Sequence, residues 1–199
     1  MILSDREIEA ALNNNLIVID PRPSKELWTS TAIDLTLDGV ILEWKEPTPL
    51  ATGQPSSLRP FRKGFSINAM MNDDRMTNRI TIDPNTGYDL GPRAFILGYT
   101  KQKIYLPNTS RIAARVEGKS SLARLGVGVH VTAPTIHAGF GGNPGGSPIQ
   151  LEIFNLGNQT ITLDENMPIC QLIIEEVRET PIKGYNGRFS EQANFTIGS

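Results

Sequence analysis

The 199 residues carry a formal net charge of −2 at pH 7, with 39% hydrophobic and 20% charged residues, the balance of a single globular domain with a core of its own. No basic excess is present to suit a nucleic-acid polymer or an anionic membrane, although a few local cations can still hold a small phosphorylated ligand. Cys170 is the one cysteine, which excludes an intrachain disulfide and a multi-cysteine zinc site.

In chain order the first expected element is a helix. Ser4 and Glu7 have capping-box spacing, and Ile8, Ala11 and Leu12 then share a face, so residues 4–13 read as a short amphipathic helix. Met1 to Asn15 shows neither the basic start nor the apolar core of a targeting segment, and no run approaches the ~18 apolar residues of a membrane span. The expected location is therefore the cytoplasm. Residues 31–42 alternate as a strand would, and 46–60, rich in Pro, Ser, Thr and Gly, reads as a surface loop within a broader stretch, 43–65. From Ala94 onward, β-branched and aromatic runs recur between turn residues at 95–100, 111–117, 128–132, 149–155, 160–163 and 169–176, a spacing that points to an all-β barrel or sandwich. One helical turn, Ser120 to Leu125, is expected to interrupt them and to stop at Gly126. The tail, 183–199, has the composition of a mobile terminus.

Several chemistries fall away on the residues present. Two histidines and one cysteine do not supply the usual zinc-hydrolase sets, and the His-x-Glu with Pro-Cys-x-x-Cys pattern of zinc deaminases is absent. No Gly-x-Ser-x-Gly elbow anchors a serine nucleophile. Gly118-Lys119-Ser120 ends like a P-loop, yet Ala113 stands where that motif needs its first glycine. What remains is a basic, hydroxyl-rich segment, Lys119-Ser120-Ser121 with Arg124, either a cradle for phosphate oxygens or a solvated turn. Glu152 sits within the apolar strand Ile149 to Phe154 and shares a face with Gln150 and Phe154. It is either a solvent-facing strand carboxylate or, if that face lines a pocket, a proton-transferring acid and base.

The segment Gly118-Lys119-Ser120-Ser121-Leu122-Ala123-Arg124-Leu125-Gly126 resembles the deoxycytidine triphosphate (dCTP) deaminase family, relatives of the trimeric deoxyuridine triphosphatases. Val129-His130-Val131-Thr132-Ala133, Ile136, Gly139 and Leu151-Glu152-Ile153-Phe154-Asn155 follow in the family's order. Ser4-Asp5-Arg6-Glu7-Ile8, Ala32-Ile33-Asp34-Leu35, Pro168-Ile169-Cys170-Gln171-Leu172 and Gly187-Arg188-Phe189 with Gln192 extend the likeness over nearly the whole chain. The resemblance implies one domain over residues 1–199, a mainly β fold forming a distorted jelly-roll barrel, and a homotrimer with active sites between subunits. It implies hydrolytic deamination of dCTP to dUTP and ammonia, feeding pyrimidine deoxynucleotide synthesis. Glu152 would take a proton from the attacking water and deliver protons to the leaving ammonia, while Ser120 and Arg124 order that water and stabilise the tetrahedral intermediate. Lys119 and Ser121 would contact the triphosphate with Arg188 and Gln192 from a tail closing as a lid, and Val131, Thr132 and Ala133 would meet the pyrimidine and sugar. His137, Gln150, Leu151, Gln171 and Tyr185 complete the implied nucleotide site. Mg2+ would arrive on the triphosphate, without a protein carboxylate cage and without zinc.

Three departures from the family pattern bear on specificity. His137 stands in place of the usual aspartate near the sugar 3′-hydroxyl, 142–148 is longer than the usual turn, and Arg188 replaces a lysine. The first argues against a second, pyrophosphate-releasing activity, and the first two together raise a modified cytosine nucleotide as substrate. A deoxyuridine triphosphatase, a bifunctional dUMP-forming deaminase and a catalytically silent nucleotide-binding protein are the competing readings.

Overall fold

The computed structural model describes residues 1–46, 57–130 and 132–183. Its elements run α1 (Asp5–Asn13), β1 (Val18–Asp20), β2 (Ala32–Thr36), β3 (Val40–Trp44), α2 (Ile67–Met71), β4 (Thr77–Thr81), β5 (Tyr88–Leu90), β6 (Phe95–Tyr105), β7 (Ile112–Gly118), α3 (Ser120–Ala123), β8 (Val127–Val129), β9 (Thr135–Ile136), β10 (Ser147–Asn155), β11 (Ile161–Leu163) and β12 (Pro168–Glu176). The protein is mainly β, as the recurring short runs led us to expect.

The first helix forms for the reason its sequence gives. Glu7 accepts the Ser4 backbone N–H at 2.7 Å and the Ser4 hydroxyl at 2.8 Å, which satisfies the helix start and holds the Glu7 carboxyl below its usual range. Ile8, Ala11 and Leu12 are buried, as the amphipathic spacing requires.

Two sheets carry the molecule. One has the order β4-β3-β6-β10-β8, with β1 also pairing β6; the other runs β2-β12-β7-β9, and β5 and β11 form a separate two-stranded ribbon. Among the described residues these strands form open sheets, with no ring of strands closing on itself. One apolar cluster joins both sheets, taking Ile96, Ile149, Leu151 and Ile153 from the first and Ile33, Leu35, Val116 and Leu172 from the second. Strand β7 alternates as a one-sided strand should, burying Ile112, Ala114 and Val116. Leu172 sits in β12, between β2 and β7, with no solvent exposure. Leu172→Ala is expected to lower unfolding free energy by about 2–5 kcal/mol, read by chemical denaturation at fixed chain concentration.

Besides β6 running on to Tyr105 and β8 ending at Val129, two differences from the sequence reading change the architecture. The alternation over 31–42 is broken into two strands that belong to different sheets, β2 and β3. Leu37 N–H bonds Met167 O at 3.0 Å and Asp38 N–H bonds Tyr99 O at 2.8 Å, so the chain crosses from one sheet to the other here. The expected irregular stretch 43–65 begins inside β3, whose last residue is Trp44. Further along, α2 docks Met71 onto Leu42 and Leu97, with Trp44 and Ile67 beside them, as a second apolar cluster. Among the described residues no helix is long and apolar enough to cross a membrane.

Candidate active site

The corner between β7 and β8 is built as its sequence suggests. Lys119 caps a single helical turn, α3, and the chain leaves it through Gly126 at φ +92°. A Cβ on Gly126 would lie 2.3 Å from Gly157 N, so glycine is needed both for its conformation and for the close approach of two backbones. Around this corner lies a groove of about 500 Å³, lined among others by Gly118, Ser120, Val129, His130, Pro134 and Gln171.

Glu152 is at the next strand over. Strand β10 pairs with β8 through Ile153↔Val129 and with β6 through Glu152↔Leu97. His130 continues the pairing just past β8: its N–H bonds Glu152 O at 2.9 Å, with its own backbone in the left-handed region at φ +55°. This conformation brings the imidazole back over the strand, and His130 Nδ1 lies 2.9 Å from Glu152 Oε2. The side chains are 9% and 34% exposed, yet these two atoms are both shut away from solvent. They stand at pairing distance without hydrogen-bond alignment, and neither has another partner among the described residues. Buried polar atoms without a satisfied bond are rare in folded proteins and concentrate where chemistry or a ligand completes them.

Beside the groove's Gln171, Asp34 is buried at 8% exposure. It forms an ion pair with Lys119 Nζ and accepts a hydrogen bond from Gln171 Nε2 at 3.0 Å. The neighbouring Cys170 thiol is fully buried and held far above its ordinary range by that burial and by the Asp34 charge, so it is inert. Arg115 is braced by Glu117 at 3.0 Å and Glu175 at 3.3 Å.

A family model described as dCTP deaminase-like matches residues 2–177. The chain belongs to the dCTP deaminase-like family. A dCTP deaminase from Buchnera aphidicola subsp. Baizongia pistaciae is 33% identical, over 94% of this chain and 90% of its own length. One from Shewanella frigidimarina is 33% identical over 96% and 92%, and a dUMP-forming dCTP deaminase from Methanosphaera stadtmanae is 32% identical over 92% and 83%. Among solved structures, the 2′-deoxycytidine 5′-triphosphate deaminase from Agrobacterium tumefaciens shares the fold at a TM-score of 0.62 and 18% identity, over 87% of this chain. The chain spans about half the length of that protein, 47%.

The residues that this dCTP deaminase-like chain was expected to use fall into three groups. Ser120 and Gln171 line the groove, Lys119 lies between two lining residues, and Glu152 touches the groove's His130. A second group is not among the groove's lining residues. Arg124 is exposed, and its Nη1 donates to Ser120 O at 3.1 Å. Ser121, Thr132, Ala133 and His137 are exposed. Gln150 is buried under α2, with Nε2 donating to Tyr99 Oη at 2.8 Å, and Leu151 has no exposed surface, so the Leu151 side chain belongs to the core and only its backbone could meet a ligand. Val131, Tyr185, Arg188 and Gln192 lie outside the described residues, as does the expected lid.

Within one chain the long turn lies away from Glu152. Gly141 and Gly146 pack against the Ile104 backbone, and Ser147 pairs with Ile104 while Glu152 pairs with Leu97. Five residues of extended strand, about 17 Å, therefore separate the end of this turn from Glu152 within one chain. Among the described residues no group of three or more His, Cys, Asp or Glu side chains is gathered to hold a metal ion.

Proposed function

We propose that this protein hydrolyses dCTP to dUTP and ammonia, with Glu152 as the proton-transferring group. The observation that carries this reading is the sheltered Glu152 Oε2 beside His130 at a groove that also holds Ser120 and Gln171, in a chain matched over almost its whole length by relatives named dCTP deaminase. In the proposed reaction Glu152 removes a proton from water as the oxygen bonds to C4 of cytosine and the C4=N3 π electrons pass to N3, which takes up that proton; Glu152 then moves the proton of the new C4 hydroxyl to the amino group as C4=O forms. With that the C4–N bond breaks and ammonia leaves. Ser120 and Arg124 order the water and stabilise the negative charge of the tetrahedral state, as preorganised donors do. Lys119, Ser121 and Gln171 serve the phosphates, whose oxygens carry Mg2+ by the hard-ligand chemistry that this ion prefers. The same reading takes the two sheets as parts of a distorted jelly-roll barrel, the working form as a homotrimer with sites between subunits, and the location as the cytoplasm.

Incubation of the purified chain with dCTP and Mg2+ is expected to release ammonia and dUTP in equal amounts, followed by nucleotide chromatography. A second outcome is favoured by the dUMP-forming relative: dUMP and pyrophosphate appear in place of dUTP. No ammonia from dCTP would refute both.

A further inference from the structure

Asp34 is a buried carboxylate that the reaction above does not use. Its two oxygens are divided between two residues from different elements: Oδ2 pairs with the ammonium of Lys119, and Oδ1 accepts from Gln171 Nε2 at 3.0 Å. Gln171 and Asp34 are direct cross-strand partners, and Gln171 is in turn opposite Glu117 on β7. Lys119 follows two residues later on the same edge, so the bridge from Asp34 spans the width of β12.

A plain structural tie would explain an ion pair here, but the sheet gains nothing obvious from it. Strands β2 and β7 are already joined through β12 by ladders on both sides. The pair costs desolvation of two charges, which a structural tie seldom recovers in full. What distinguishes the arrangement is the choice of partners: Gln171 lines the groove, and Lys119 lies between its lining residues Gly118 and Ser120.

We propose that Asp34 is a positioning residue of the nucleotide site, holding Lys119 and Gln171 in place so that their remaining donors meet phosphate oxygens of the bound nucleotide. This rests on the reading of the groove as a triphosphate site. An ammonium has three donors and a side-chain amide two; Asp34 takes one from each, leaving three for a ligand. A lysine otherwise loses up to about 2 kcal/mol of rotamer freedom when it is ordered on binding, and a lysine already fixed in the empty protein has met that cost on folding. The Asp34 charge also offsets the Lys119 ammonium.

The test is the steady-state kinetics of Asp34→Asn, Lys119→Met and the double variant with dCTP, together with competition by inorganic tripolyphosphate. Asp34→Asn keeps the shape of the carboxylate but removes its charge. It is expected to raise KM for dCTP about 10-fold or more with kcat within about 3-fold of the parent, and to weaken tripolyphosphate inhibition in parallel. The double variant is expected to lose less than the sum of the two single losses, because Asp34 acts in part through Lys119 and in part through Gln171. Unchanged KM and tripolyphosphate inhibition in Asp34→Asn, a loss in kcat alone, or additive losses in the double variant each overturn the proposal. Should Asp34→Asn not fold, Asp34→Glu carries the same readouts, since it keeps the charge but displaces it by a bond length. A parent chain that turns over dCTP while these variants keep its KM sinks Asp34's role only; a parent chain without turnover removes the reading of the site itself.

Discussion

Glu152→Gln is expected to lower dCTP turnover by about 10²-fold or more while leaving nucleotide affinity near that of the parent chain. The glutamine keeps the size of the side chain and a hydrogen-bonding oxygen, but it does not accept a proton from water near neutral pH. A positioned general base contributes about 10²–10⁴-fold, and in a site that depends on one carboxylate no neighbouring group replaces it. His130 is the nearest candidate, with Nδ1 2.9 Å from Glu152 Oε2, but it meets the Glu152 carboxyl itself, so in the proposed reaction it would act on the water only through Glu152. The fold should be unaffected, because the Glu152 side chain is 34% exposed and contributes nothing to the core cluster. Ammonia release and calorimetric titration of dCTP check both halves. Turnover within about 10-fold of the parent would remove Glu152 as the base, and retained binding with no turnover in the parent chain as well would identify a silent nucleotide-binding protein.

Elements whose cause is local were legible in the sequence. The helix at 4–13 announces itself through Ser4 and Glu7, and the hydrogen bonds that close the capping box are all within four residues. The stop at Gly126 was legible for the same reason, although its tight contact with Gly157 was not. The division of 31–42 between two sheets was hidden because β2 is buried on both faces. Its alternation therefore carries no information about which side meets solvent, and the fully buried Leu37 and Ile41 continue the period through the turn. The α2 cluster was hidden because Met71, Leu42 and Leu97 come from three separate parts of the chain.

The site shows the same division. A single carboxylate in the apolar strand Ile149 to Phe154 is visible in one dimension, and Glu152 was singled out on that ground. His130 carries no such mark in its local sequence. Its role as the neighbour of Glu152 depends on a left-handed backbone at φ +55°, which a residue other than glycine adopts only occasionally and which no pattern of side chains announces. Asp34 did leave a trace, as a charged residue inside the apolar run Ala32-Ile33-Asp34-Leu35. Its partners stand 85 and 137 residues away in sequence, however, and only the pairing of β2 with β12 and β12 with β7 puts them together.

Mixing two inactive variants, Glu152→Gln and Arg124→Ala, is expected to restore about a quarter of the parent activity. Within one chain, Arg124 is exposed and turned to the carbonyl of Ser120, while Glu152 faces His130; no contact joins the two. If both act on one substrate in a cyclic trimer, whose interfaces are head-to-tail, one chain supplies the glutamate and its neighbour the arginine. After random reassembly each site draws each residue independently from an equal mixture, so about one site in four receives an intact Glu152 and an intact Arg124. The experiment unfolds and refolds the two chains together and compares ammonia release with each variant refolded alone. Recovery near that fraction requires sites shared between subunits. No recovery, with native size restored, places both residues in one chain's site and requires Arg124 to swing away from Ser120 when the nucleotide binds.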